Sequence, residues 1–379
     1  MKYDRPPPRP DRSFARNVPP MDFLAPLYRF DLSRLRRPLV LALLLAALWF
    51  TWRMVASLDW HDLFARVSAA NLPLLALALA ALIGQFVLWD ARMALATERA
   101  VGARPRFGFG TFVLFASAAL NLLTPSARVV GGPLRARYVA RAVGRPFAPL
   151  YGVILYDQLA HYVVMTSWTG LALVSAAWIL GRPGLVAGAL AAYAVLAVAA
   201  FGLGSRAGNG ALTRFFARRA ERAGARGGGR GERLYDQGRE AAQTLETLVS
   251  ERRLRLPAAL LGSGYFLFSV LAQWLVFAAL GRRESFWVVL SVVALGASAG
   301  MLTGTPGGAG TTEAAMVALF GALGVPPAEA AAATLVYRGL HYASILALGV
   351  PALVVLELRH GARFGARRAE AEAALEPAA

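Results

Sequence analysis

The hydrophobic positions of this chain neither alternate nor form stripes. They come in long runs, near residues 39–56, 72–91, 107–124, 150–180, 184–204, 257–280, 286–303, 311–325 and 329–356. A segment apolar on every face has no polar side to offer water, and about 20 such residues cross a hydrocarbon core of about 30 Å. Six runs read as full spans: 39–56, 72–91, 150–180, 184–204, 257–280 and 329–356. Run 107–124 and the interrupted stretch 286–325 are short or broken by Gly and Pro, and read as two re-entrant elements. The expected fold is therefore an all-α polytopic membrane domain over 39–358. It carries a disordered leader at 1–38, a loop at 205–256 and a tail at 359–379, all three expected in the cytoplasm.

Composition supports lipid as the solvent. Hydrophobic residues make up 57% of the chain and charged ones 16%, where a soluble domain carries about 25% charged. The net charge of +18 raises nucleic acid as a partner, but the basic residues sit between the apolar runs, as loop charge does when it sets membrane orientation. Nucleic acid is accordingly not an expected partner.

The leader holds nine Lys/Arg and segment 205–256 twelve, against one in 57–71 and two in 281–285, so both termini are placed inside. Trp49, Trp52, Trp60, Trp178 and Trp287 then fall near the opposite face, as an interfacial belt would. The expected location is a bacterial inner membrane. If 107–124 crossed fully, Arg128, Arg135, Arg137, Arg141 and Arg145 would be stranded outside, which favours the re-entrant reading of that run. The chain has no cysteine, and its four histidines lack zinc spacing, so no metal or cofactor is expected. The first apolar run begins only at Leu39, which argues against a signal peptide.

A shift of 181 residues lays 72–91 on 257–280, 107–124 on 286–303 and 150–180 on 329–356. It also sets Thr124-Pro125 on Thr305-Pro306, and Tyr156 on Tyr337. A Gly pair follows each Pro, Gly131-Gly132 and Gly307-Gly308. Span 184–204 intervenes, so the units 72–180 and 257–356 would be inverted in the membrane. Chance alignment of Ala/Leu-rich runs is the plainer alternative. Paired Gly/Pro-broken segments in inverted halves point to a site near the bilayer midplane.

Several residues could carry chemistry there. In Thr305-Pro306-Gly307-Gly308-Ala309-Gly310-Thr311-Thr312-Glu313 the glycines permit unusual backbone, Thr311 or Thr312 could cap the next helix, and Glu313 falls in its first turn. No Lys-Ser/Thr follows, so this is not a nucleotide loop. A short helix is predicted over 133–143, with Arg137, Arg141 and Arg145 on one face, where Arg can grip phosphate, lie against anionic lipid or serve as an ordinary positive-inside loop. Arg135 and Arg137, beside the Gly-Gly-Pro break, are favoured for phosphate contact. Asp157 and His161 lie one turn apart within a span, as do Arg338 and His341. Ionisable groups at that depth usually face a bundle interior. The shift sets Asp157 opposite Arg338, which predicts an ion pair between the halves, either a static tie or a gate.

The stretch from Thr305 to Tyr342, with Pro-Gly-Gly-x-Gly-x-x-Glu and Tyr337-Arg338, resembles the signature of the lysylphosphatidylglycerol synthase transmembrane region family, also called UPF0104. Residues 122–126, with Gly131 to Arg135 and Tyr138, are similar to its first-half motif, and the resemblance covers about 35–358. One departure is that members commonly carry a Glu where Gly132 here meets Pro133. The resemblance implies a flippase-like protein that translocates or presents lipid. A hopanoid-associated branch of the family is a candidate subgroup. Only about twenty residues follow Leu356, so the aminoacyl-transfer domain of two-part members is not expected here.

The expected task is to move or present an amphipathic lipid, anionic, polyprenyl-linked or hopanoid-related, between leaflets. Lipid is then the substrate and a lipid-modifying enzyme a possible partner. Candidate lipid-binding residues are Arg128, Arg135, Arg137, Thr305, Pro306, Gly307, Gly308, Gly310 and Glu313, with Glu313 answering to a proton or to a cationic headgroup. Asp157, His161, Tyr337, Arg338 and His341 form the candidate charge pair or gate. A scaffold recruiting glycolipid or envelope-lipid enzymes is the alternative, and no catalytic constellation favours an enzyme. Cysteine scanning on this cysteine-free background should label positions near Asp59 from the periplasm and near Gly228 and Arg137 from the cytoplasm. Periplasmic labelling near Arg137 would rule out the re-entrant assignment of 107–124.

Overall fold

The computed structural model describes residues 65, 67–123, 131–204, 228–303 and 306–373. The expected leader 1–38, span 39–56, Thr124-Pro125, Arg128, Thr305 and residues 205–227 lie outside these. Every element of length among the described residues is helical: α1 Leu72–Val101, α2 Phe109–Leu123, α3 Gly131–Val143, α4 Phe147–Ile179, α5 Pro183–Gly204, α6 Gly228–Ser250, α7 Arg252–Ala279, α8 Phe286–Thr303, α9 Thr311–Ala322 and α10 Pro327–Ala373. Four of them, α1, α4, α7 and Pro327–Leu358 of α10, are long and apolar enough to cross a membrane. Helix α5 runs 22 residues, while the 15 of α2 reach only about 22 Å at 1.5 Å each.

Local chemistry sets the helix ends. The Asn71 side chain accepts from the Leu74 amide at 3.2 Å, and Gly102, at φ 66°, closes α1 in the left-handed region. Helix α1 therefore continues ten residues past the apolar run at 91, through Ala, Arg, Met, Leu and Glu, all good helix formers. That extension brings Arg92 inside a helix instead of a loop. Helix α10 likewise runs beyond the expected boundary at 358 as one continuous helix. Part of the expected loop 205–256 is helix α6, which lays Ala241, Ala242, Leu245, Leu248 and Val249 into the core against α4.

The chain order long, short, short, long occurs twice, in α1–α4 and in α7–α10. Packing follows the same order: α1 lies along α7, α2 packs on α10, and α8 packs on α4. Exchanging the halves maps the second of these contacts onto the third. One core cluster lies among α1, α4 and α7–α10, and another among α1–α4, α6, α7 and α10. Buried Gln85 and Gln273 hydrogen-bond between helices, Gln85 accepting from the half-buried Ser269 hydroxyl at 2.5 Å and the Gln273 amide donating to the Ala333 carbonyl at 3.2 Å. The α7–α8 turn is tied to the start of α10 because Arg282 bonds Glu284 and pairs with Glu329.

Small residues let the helices touch. A Cβ at Gly349 of α10 would stand 2.3 Å from the Phe115 carbonyl oxygen of α2, a backbone atom that cannot swing aside. Gly339, on the same helix, meets nothing within 4 Å. Gly349→Ala is expected to destabilise the detergent-solubilised protein by about 1–3 kcal/mol, the usual cost of overpacking. Gly339→Ala should leave the unfolding midpoint unchanged or higher, since Ala is the better helix former; equal midpoints for the two variants would overturn the close α2–α10 contact.

Candidate functional site

A cavity of about 400 Å³ opens among α1, α2, α3, α4, α7 and α10. Phe86, Trp89, Tyr151, Tyr162, Tyr265 and Tyr342 give it aromatic walls, and Arg135, Asp157, Gln158, His161, Arg338 and His341 give it polar ones. A narrower space of about 110 Å³, lined by Met165, Phe266, Val293, Met301, Met316 and Tyr337, lies behind it. Five residues border both: His161, Tyr265, Gly307, Arg338 and His341.

The first charged cluster centres on Asp157 of α4, which is fully buried. One carboxylate oxygen accepts from Arg92 Nε of α1 at 2.8 Å. The other accepts from Trp89 Nε1 at 2.6 Å and from Arg135 Nη1 of α3 at 3.4 Å. Arg92 also donates to the Asp157 backbone carbonyl at 3.3 Å, and the Arg135 guanidinium lies over the Trp89 ring, 5.1 Å from its centroid. Arg92 fits because position 262 is glycine; a Cβ there would stand 2.9 Å from Nη1. Helix α3 is held at both sides. The Gly131 amide donates to the Asn121 side chain at 2.9 Å, and Tyr138 bonds Glu357 of α10. Burial, with that carboxylate beside it, pushes the Tyr138 hydroxyl up to about 12.

The second cluster centres on Arg338 of α10. Its Nε donates to Glu313 Oε1 at 2.6 Å, and Nη2 donates to the Gly307 carbonyl at 2.9 Å and to the Tyr342 hydroxyl. Tyr342 in turn donates to Glu313 at 2.9 Å. The Gly307 carbonyl is aimed this way by a run of left-handed glycines, Gly307, Gly308 and Gly310, at φ 60°, 71° and 81°. Beside them, Gly300 of α8 comes so close that a Cβ would sit 2.0 Å from Thr312 Oγ1.

Several expectations are corrected here. Asp157 and Arg338 do not pair with each other; each has a nearer partner of its own, although both border one cavity. Arg137 is exposed and does not line the cavity, whereas Arg135 is buried in its wall. Two residues along a helix turn about 200°, so Arg135 and Arg137 cannot share a face. Arg145 lies past the end of α3, beyond Gly144 at φ 65°, so the expected stripe of three is cut short. Gly310, and neither threonine, stands at the N-cap of α9, and the Thr311 hydroxyl donates back to the Gly308 carbonyl at 3.2 Å. Glu313 does sit in the first turn, but its carboxylate turns to Arg338. His161 stacks on Trp89, and Tyr337 on His341. Among the described residues no group of three His, Asp or Glu is placed to hold a metal.

Sequence reasoning missed Arg92, Trp89, Asn121, Tyr265 and Tyr342. Arg92 was within reach: the 181-residue shift lays it on Gln273, in the middle of an apolar run, which marks the position as internal.

The model of the lysylphosphatidylglycerol synthase TM region matches residues 39–349. The chain belongs to this family. It is 25% identical over 254 residues to a UPF0104 membrane protein of Methanothermobacter thermautotrophicus, covering 64% of this chain and 73% of that one. Another UPF0104 membrane protein, from Methanocaldococcus jannaschii, is 34% identical over 92 residues, 24% of this chain and 27% of that protein. The protein is thus a multi-pass membrane member of a lipid-related family.

Removing one member of a buried ion pair typically costs about 3–5 kcal/mol, because the remaining charge is left uncompensated. Asp157→Ala and Arg338→Ala should each destabilise by that amount, measured by denaturant unfolding in detergent. The double variant should cost the sum to within about 0.5 kcal/mol, as for sites without shared partners. The Glu313→Ala/Arg338→Ala double variant should fall well short of its sum. The opposite pattern of additivity would restore the direct Asp157–Arg338 pair.

Proposed function

We propose that this protein moves or presents a lipid with an anionic headgroup between the two leaflets of a bacterial inner membrane. The observation that carries this reading is the charge of the cavity wall. Arg135 and Arg338 line the cavity, one beside Asp157 and the other beside Glu313, and both guanidinium groups are buried. Cations inside an apolar bundle are costly and usually face a substrate path, and a headgroup anion is the charge complement of these two. Planar guanidinium groups suit phosphate oxygens, and the aromatic walls suit the apolar part next to a headgroup. Polyprenyl-linked and hopanoid-related lipids remain the candidate cargo.

The two halves, inserted in opposite senses with both termini inside, would place the left-handed glycine turn near the midplane, where a headgroup must cross. The protein would act on lipid without bond chemistry, alongside a lipid-modifying enzyme as partner. The alternative, a non-transporting scaffold for glycolipid or envelope-lipid enzymes, gives the charged cavity no task.

The full chain reconstituted in liposomes should speed leaflet exchange of fluorescent phosphatidylglycerol. Arg135→Gln should slow it at least about tenfold, since a hydrogen bond to a charged group contributes about 1.5–3 kcal/mol. Gly308→Val should abolish it, because φ 71° is closed to a β-branched residue. Arg137→Gln, outside the cavity, should exchange like wild type. No exchange by the wild type, or equal exchange by all three variants, would favour the scaffold.

A further inference from the structure

The two charged clusters differ in what happens when an anion takes one of their arginines, and that difference has a consequence for the energy of transport. Asp157 has three side-chain donors: Arg92, Trp89 and Arg135. If Arg135 turns to a phosphate, Arg92 and Trp89 still satisfy the carboxylate, and Asp157 stays ionised. Among the described residues Glu313 has one arginine, Arg338. Its Oε1 receives Arg338 and Tyr342, and its Oε2 has no hydrogen-bond partner among the described residues, although Glu313 is only 6% exposed.

Position adds to this. Arg338 borders both the large cavity and the narrower space behind it, whereas Glu313 borders neither and stands behind its arginine. An anion entering the cavity therefore meets Arg338 from the open side and competes with Glu313 for it. Once Arg338 turns, Glu313 keeps one neutral donor, the Tyr342 hydroxyl. A buried carboxylate in that setting binds a proton instead of remaining charged.

Among the described residues no other cationic group is placed to compensate it. The elements packed on α9 are α8, which has no ionisable residue, α7, which meets it through Phe277 on Phe320, and α10, which carries Arg338, Tyr337, His341 and Tyr342. Across the cavity stand His161 and Tyr265.

We propose that binding of an anionic headgroup to Arg338 is coupled to protonation of Glu313, so that the anion and one proton enter the cavity together. This rests on the lipid-transfer reading above and adds its energy source, a proton gradient. The charges balance: one negative headgroup charge and one proton add no net charge to the interior. Linkage makes the coupling reciprocal, so a lower pH tightens anion binding by the same factor by which the anion raises proton affinity.

The test uses the purified full chain in weakly buffered detergent with a pH indicator, titrated with phosphatidylglycerol. The wild type should take up close to one proton per lipid bound, and its binding should weaken as pH rises, by up to about tenfold per unit. Glu313→Gln, which mimics the protonated side chain, should bind the lipid with no proton uptake and no such pH dependence. Lipid binding by the wild type without proton uptake, or uptake undiminished in Glu313→Gln, overturns the coupling. Uptake driven by inorganic phosphate and not by the lipid assigns the site to the free anion and overturns the lipid as its ligand. In liposomes, leaflet exchange indifferent to pH overturns the coupling alone, while absence of exchange at every pH overturns the lipid-transfer reading beneath it.

Discussion

Burying a carboxylate at Asp157 constrains everything around it. An ion of that kind inside an apolar bundle is tolerated only if donors surround it, and the donors must come from elsewhere in the chain. Here they come from two other helices, Trp89 and Arg92 on α1 and Arg135 on α3. The short helix α3 is not apolar enough to hold itself in the membrane domain by its own surface, with Arg135, Arg137 and Arg141 in thirteen residues. Its place is set by the Arg135–Asp157 contact, the Asn121 cap and the Tyr138–Glu357 bond. Each of these ties it to a different helix, α4, α2 and α10 in turn.

The second half solves the same problem differently. There the buried cation is on the long helix, at Arg338, and the carboxylate is on the short one, at Glu313. The 181-residue shift lays Arg338 on Asp157 and Glu313 on Gly132, so the sign of the charge on the long helix is reversed between halves. In the first half, where Gly132 stands at the position equivalent to Glu313, the negative charge comes from Asp157 of α4. An acidic group is present in both halves, but only the second keeps it on the short helix. The family model's match over 39–349 spans both solutions.

Close backbone approach makes the arrangement possible. Gly262 gives Arg92 room, Gly131 lets Asn121 reach the start of α3, and Gly300 admits Thr312 beside the left-handed turn. What these glycines share is the side chain they lack. Each removes an atom that would push a polar group away from its partner, which is why polar positioning in this bundle depends on residues with no side chain.

The sequence by itself determined the class of protein. Runs apolar on all sides, separated by arginine, admit a helical membrane domain and little else, because backbone polar groups in lipid must be satisfied within a helix. It also marked Arg135, Asp157, Arg338, Glu313 and the glycine turn, since charge and irregular backbone at membrane depth are costly enough to stand out in one dimension. It could not assign partners. The shift aligned Asp157 with Arg338, but equivalence under a repeat says which positions correspond, not which touch. Contact depends on helix rotation and on where α1 ends. Continuing α1 ten residues past its apolar run put Arg92 beside Asp157, and the turn of α3 sent Arg135 inward and Arg137 outward. Those choices were made by tertiary packing, because a guanidinium reaches only a few ångströms and the nearest available carboxylate wins.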